Sequence, residues 1–124
     1  MPNARPKHLN LLQIRFPIMA IVSGMHRISG AVLFLFLPLV LWLWQHSLAS
    51  QQTFERFSAV VSSPLAKLVL LGLLWGYLHH LCAGIRHLAL DLNLGTDLPA
   101  ARASSMAVIV ISIGLTIAIG ALLW

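Results

Sequence analysis

Four residues of one apolar stretch, His80, Gly84, His87 and Asp91, follow one another at offsets of four, seven and eleven. At about 3.6 residues per turn that spacing puts them on a single helix face. Gly76 extends the stripe by one more turn. An imidazole with glycines a turn away on either side stands beside a flat recess, the shape a porphyrin requires. A neutral imidazole nitrogen is a standard axial ligand to haem iron. The competing reading is helix packing: small residues let helices approach, and a buried histidine hydrogen-bonds to its neighbour with no cofactor present. His79 points about 100° away from His80 and cannot address the same ligand, so packing is the preferred reading for it.

A second group lies earlier in the chain. Ser23, Arg27 and Gly30 share a helix face, and His26 precedes the arginine. An arginine at a membrane boundary commonly snorkels to the headgroups. The alternative is that Ser23 and Arg27 donate to a polar ligand at the interface, such as a quinone carbonyl or a haem propionate, either of which suits a guanidinium.

The elements that carry these residues are read from composition. Of 124 residues 59% are hydrophobic and 9% charged, against about 25% charged in an average soluble domain. A span needs about 20 mostly apolar residues, and the sequence holds three such runs. They cover residues 22–48, 64–91 and 104–124, after a basic, partly amphipathic leader over residues 1–21. Arg5, Lys7 and His8 stand in that leader with Leu9, Leu11, Leu12 and Ile14, ahead of Arg15-Phe16-Pro17. Pro38 is a possible kink in the first run, and Pro64 suits a helix start. The polar segment between the first two runs, rich in Gln and Ser, reads as a loop. The fold class is therefore an all-α membrane protein with three transmembrane helices.

Charge gives the orientation. Arg5, Lys7, Arg15, Arg27, Arg86 and Arg102 fall on the N-terminal side, and Arg56 and Lys67 on the other. The excess of Lys and Arg on cytoplasmic segments places the N-terminus in the cytoplasm and the C-terminus in the periplasm. Trp42, Trp44 and Trp124 then lie near the outer surface, where indoles concentrate. This also accounts for the formal net charge of +5 without nucleic acid. Cys82 has no second cysteine to pair with, so no disulfide framework or thiolate site is read. With neither a cleavable signal nor a transit segment evident, a bacterial inner membrane is the expected location.

Orientation also brings the polar groups together. The second span runs inward, so His80, Arg86, His87 and Asp91 lie in its inner half, at the level of Ser23, His26 and Arg27. An Arg, Lys or Asp at a span centre costs about 2.5–3.5 kcal/mol on insertion scales, so groups that converge at one depth point to a site.

These residues resemble the cytochrome b, or large anchor, subunit family of succinate dehydrogenase, respiratory complex II. The likeness covers nearly the whole chain. It rests on Arg5-Pro6 with Leu9 and Leu11, and on Arg15-Phe16-Pro17. Two further signatures carry it: Ser23-Gly24-Met25-His26-Arg27-Ile28-Ser29-Gly30, and His80-Leu81-Cys82-Ala83-Gly84-Ile85-Arg86-His87 with Asp91. The resemblance implies that His80 is an axial ligand to haem b, with His26, His87 and Arg27 beside the haem, and that Ser23 and Arg27 line a ubiquinone site. It implies half of a two-subunit haem-binding bundle, completed by a second membrane anchor. An iron–sulfur subunit and a flavoprotein subunit, which oxidises succinate, would dock on the cytoplasmic face. This chain would thus be a subunit of a succinate:quinone oxidoreductase and not its succinate-oxidising part. Two other readings stand beside it: the anchor of a fumarate reductase, and a cofactor-free structural or transport subunit whose histidines make helix contacts or a proton path.

Overall fold

The computed structural model describes residues 10–124; Arg5, Pro6, Lys7, His8 and Leu9 of the leader lie outside the described residues. The described chain is all helical: α1 (Ile18–Ser47), α2 (Gln51–Val61), α3 (Pro64–Asp91) and α4 (Leu98–Leu123). Three of these, α1, α3 and α4, are long and apolar enough to cross a membrane, at 30, 28 and 26 residues. At 1.5 Å per residue the shortest reaches about 39 Å, more than the roughly 30 Å of hydrocarbon.

Local chemistry sets the helix ends. Pro64 and Pro99 stand in the first turns of α3 and α4, where a missing N–H costs nothing. Just before them Ser63 accepts a hydrogen bond from the Ala66 N–H and Asp97 from the Ala100 N–H, each at 3.3 Å. With this cap, α4 begins six residues ahead of the apolar run that signals it in the sequence. The helix α1 continues through Pro38. After α3, Asn93 (φ 59°) and Gly95 (φ 68°) turn the chain through the left-handed region.

The segment read as a loop between the first two spans contains α2. A reciprocal cap starts it: the Ser50 hydroxyl accepts from the Thr53 N–H at 3.2 Å, and the Ser50 N–H donates to Thr53 Oγ1 at 3.0 Å. Phe54, Phe57 and Val61 recur at helical spacing along one side, while Gln51 donates to Glu55 at 3.0 Å one turn apart on another. The segment's mean polarity concealed this amphipathic pattern.

In the bundle, α3 packs on both α1 and α4, and α1 also touches α4, while α2 lies chiefly against α1. Val22, Ala83 and Val108, one from each span, form the sealed centre, with Ile18, Cys82 and Ile109 against it. Ser105, Ser112 and Gly120 are the other buried residues of α4, and such small residues allow the close backbone approach that holds spans together where no water drives association. At Gly120 an added Cβ would lie 2.8 Å from Leu71 Cδ2. The larger apolar side chains mostly face outward, from Ile28 and Phe34 on α1 to Val110 and Ile117 on α4. The accessible surface is 9671 Å², well above the about 6,600 Å² of a folded soluble monomer of this mass. The chain is a multi-pass membrane protein.

The Gly120 contact makes a prediction about stability. Gly120→Ala should cost about 1 kcal/mol, because the tip of Leu71 can turn aside, whereas Gly120→Leu should push α4 off α3 and cost about 3 kcal/mol. Unfolding of the purified protein in detergent measures both.

Candidate functional site

The imidazole of His80 is fixed by α1 on three sides. Its Nδ1 lies 3.0 Å from the His26 backbone oxygen and 3.2 Å from Ser29 Oγ, which itself donates to the His26 oxygen at 2.9 Å. A carbonyl only accepts, so Nδ1 carries a proton, and in the neutral ring the lone pair falls on Nε2. The His26 ring stacks on His80 with centroids 4.1 Å apart and planes 10° from parallel. Below the ring is Gly30, where an added Cβ would come within 2.8 Å of His80 Cε1. Nε2 makes no hydrogen bond among the described residues, and it is not sealed inside the bundle.

Around this ring the structure gathers part of the predicted group. His87 packs against His26 at 5.0 Å, tilted by 50°, so His26, His80 and His87 form one cluster between α1 and α3. Ser23 and Arg27 lie one turn apart on α1, the first half-buried and the second exposed, and neither side chain has a hydrogen bond among the described residues. Asp91 is exposed at the end of α3.

Two features add to the sequence reading. On α3, Gly76 faces open space and an added Cβ at Gly84 would meet only His26 Nε2, at 3.6 Å. Across the interface Gly30 gives the His80 ring its close approach to α1, and Ser29 joins it. Spacing along α3 cannot show what α1 contributes, although Ser29-Gly30 closes the first motif and was the available signal. Arg86, expected to converge with the histidines, instead turns to α4. It donates from Nε to Ser104 Oγ at 2.9 Å and from Nη2 to the Ala101 oxygen at 3.3 Å.

His79 occupies the opposite environment from His80. It is 1% exposed, its two ring nitrogens have no hydrogen-bond partner among the described residues, and the Trp75 indole lies 5.6 Å away at 38°. A ligand approaching from outside the three spans can reach His80 and not His79. The arrangement thus offers one oriented imidazole, its Nδ1 engaged by α1, near the flank of the chain, with an arginine and a serine on that helix whose side chains have no hydrogen bond among the described residues.

Because hydrogen bonds and the stack hold the His80 ring, it cannot yield to a methyl group at residue 30. Gly30→Ala should cost about 1–3 kcal/mol in the otherwise native chain and close to nothing in the His80→Ala background. A double-mutant cycle by unfolding in detergent reads the difference, and equal costs in both backgrounds would contradict the contact.

Residues 1–119 match the family described as succinate dehydrogenase/fumarate reductase transmembrane subunit. The chain is 40% identical over 121 residues to the succinate dehydrogenase cytochrome b556 subunit of Coxiella burnetii, covering 97% of each chain. It is 35% identical over 113 residues to the protein of the same name from Paracoccus denitrificans, covering 91% of this chain and 87% of that one. With the Rickettsia prowazekii protein of that name it shares 30% identity over 122 residues, 98% of this chain and 92% of the other. With two spanning signatures and nearly its full length matched, the chain belongs to the succinate dehydrogenase/fumarate reductase transmembrane subunit family.

Proposed function

We propose that this chain is one of two membrane anchors of a succinate dehydrogenase, set in a bacterial inner membrane with its N-terminus cytoplasmic and its C-terminus periplasmic. In this reading it holds haem b jointly with the second anchor, beside a site where ubiquinone is reduced. The observation that carries it is the His80 ring: Nδ1 donates to the His26 carbonyl, which in the neutral ring leaves the lone pair on Nε2, an atom with no hydrogen bond among the described residues. A ligating histidine ordinarily has its other ring N–H tied to a carbonyl or carboxylate, which fixes both tautomer and ring direction. The residues present therefore fit an axial ligand. The names of the relatives, all succinate dehydrogenase cytochrome b556 subunits, support the same reading and favour it over a fumarate reductase.

Haem, when bound, supplies a one-electron carrier; the rest is the work of side chains. His80 would hold the iron through Nε2, and the face of His26 keeps that ring from turning. His79 is sealed inside the bundle, so a further ligand would be supplied by the partner anchor. His26, His87 and Arg27 would receive the propionates. Ser23 and Arg27 donate to a quinone carbonyl, favouring the oxygen as negative charge develops on it during two-electron, two-proton reduction. Electrons reach this site from a flavoprotein subunit, where succinate is oxidised, through an iron–sulfur subunit docked on the cytoplasmic face.

Two experiments on the purified complex test this. His80→Ala should remove the haem bands from the reduced-minus-oxidised spectrum, and a complex that keeps unchanged haem sinks the ligand assignment. Arg27→Ala should lower succinate-dependent quinone reduction by about tenfold or more, the worth of a charge-assisted hydrogen bond, while oxidation of succinate by an artificial acceptor stays near normal. A parallel fall in both activities would place Arg27 in assembly instead.

A further inference from the structure

The span α3 carries two neighbouring histidines with opposite surroundings, and what decides between them is the helix's rotation. His79, Ala83 and Arg86, at offsets of four and seven, are all buried and make the face turned into the bundle. His80 and His87 lie about 100° round from that face and meet α1. A rotation of one residue would bury His80 and present His79.

Apolar contacts resist such a rotation weakly, because the sealed centre is only Val22, Ala83 and Val108 and lipid offers any displaced apolar side chain an equivalent environment. Arg86 is different. It is 9% exposed, and its two hydrogen bonds end on the first turns of α4: Nε on Ser104 Oγ at 2.9 Å and Nη2 on the Ala101 oxygen at 3.3 Å. The Ser104 hydroxyl donates in turn to the same Ala101 oxygen at 3.2 Å, which orients its lone pairs toward the guanidinium. Turning α3 would strip a buried cation of these partners, a far larger cost than repacking a leucine.

We propose that Arg86 and Ser104 form the rotational lock of α3, positioning residues that make His80 and not His79 the histidine presented at the α1 side. The idea rests on the haem reading above, since its consequence is the geometry of the His80 ligand. The hydrogen bonds of the lock end on α4 and not on His26, His80 or His87. Its action passes along the helix, from one face at residue 86 to the other at residue 80.

The test compares Arg86→Gln, Arg86→Lys and Ser104→Ala in the purified complex, reading haem content and the electron paramagnetic resonance g-values of the oxidised haem, which report axial-ligand orientation. Ser104→Ala removes one bond from the lock and leaves every histidine in place, so it should shift the g-values and weaken haem retention by about tenfold. Arg86→Gln should shift them further, and Arg86→Lys, which keeps a cationic donor, should restore most of the native signature. Native g-values and haem content in both Ser104→Ala and Arg86→Gln would overturn the proposal. So would failure of Arg86→Gln to assemble alongside a native signal from Ser104→Ala, because that pattern assigns Arg86 to assembly alone. A wild-type complex without haem, or haem that survives His80→Ala, would instead remove the functional reading beneath it.

Discussion

The site depends on how closely α1 and α3 approach at Gly30. For the His80 ring to reach the His26 carbonyl, its Cε1 edge must enter the space that any side chain on residue 30 would fill. A soluble protein can press helices together by expelling water, but lipid tails provide no such drive. The approach must come from shape and from polar bonds that have no better partner in hydrocarbon. Gly30 supplies the first and the His80 to His26 bond the second. The tautomer, the stack and the open Nε2 all follow from that one contact.

Polar groups elsewhere in the spans are handled by a different rule. Ser47, Ser105, Ser112 and Thr116 each donate to a carbonyl three or four residues back on their own helix. A hydroxyl satisfied this way costs little in a membrane and binds nothing across the interface. A histidine is too long and too rigid for most such local bonds, and His80 takes its partner from another element. His46, near the C-terminal end of α1, bonds back to the Trp42 oxygen at 3.0 Å. The residues that reach across helices, His80 and Arg86, are therefore the ones whose types the sequence marks as out of place in an apolar run.

That explains what the sequence made legible. Three apolar runs announce three spans because hydrocarbon leaves little alternative, and the stripe of His80, Gly84 and His87 is a true helix face because the period is intrinsic to the helix. A stripe, however, states direction without naming what stands opposite. Gly76 and Gly84 are legible as small residues beside His80, whereas the glycine that lets His80 approach α1, Gly30, lies on the other helix. Arg86 was grouped with the histidines by depth alone, although its rotation carries it to α4. The helix α2 was hidden by averaging, since its amphipathic face and its Ser50 cap emerge only at single-residue detail.

The asymmetry of the bundle carries the argument one step further. Arg86 is buried against α4, and His79 is 1% exposed, so both are turned into the three-span bundle and away from the His80 cluster. The His80 cluster lies at the edge of α1 and α3, with exposed Ile28 and Phe34 further along α1 and exposed Leu81 and Ile85 on α3. A flat, largely apolar macrocycle bound there would be covered by this chain on one side only. An oxidoreductase anchor that must exclude water from such a group needs a second wall, and the surface left open around His80 is where a partner helix would build it. Ser23 and Arg27 stand on the same helix, the second exposed, and in the proposed function they would meet a redox lipid that need not pass through the packed interior.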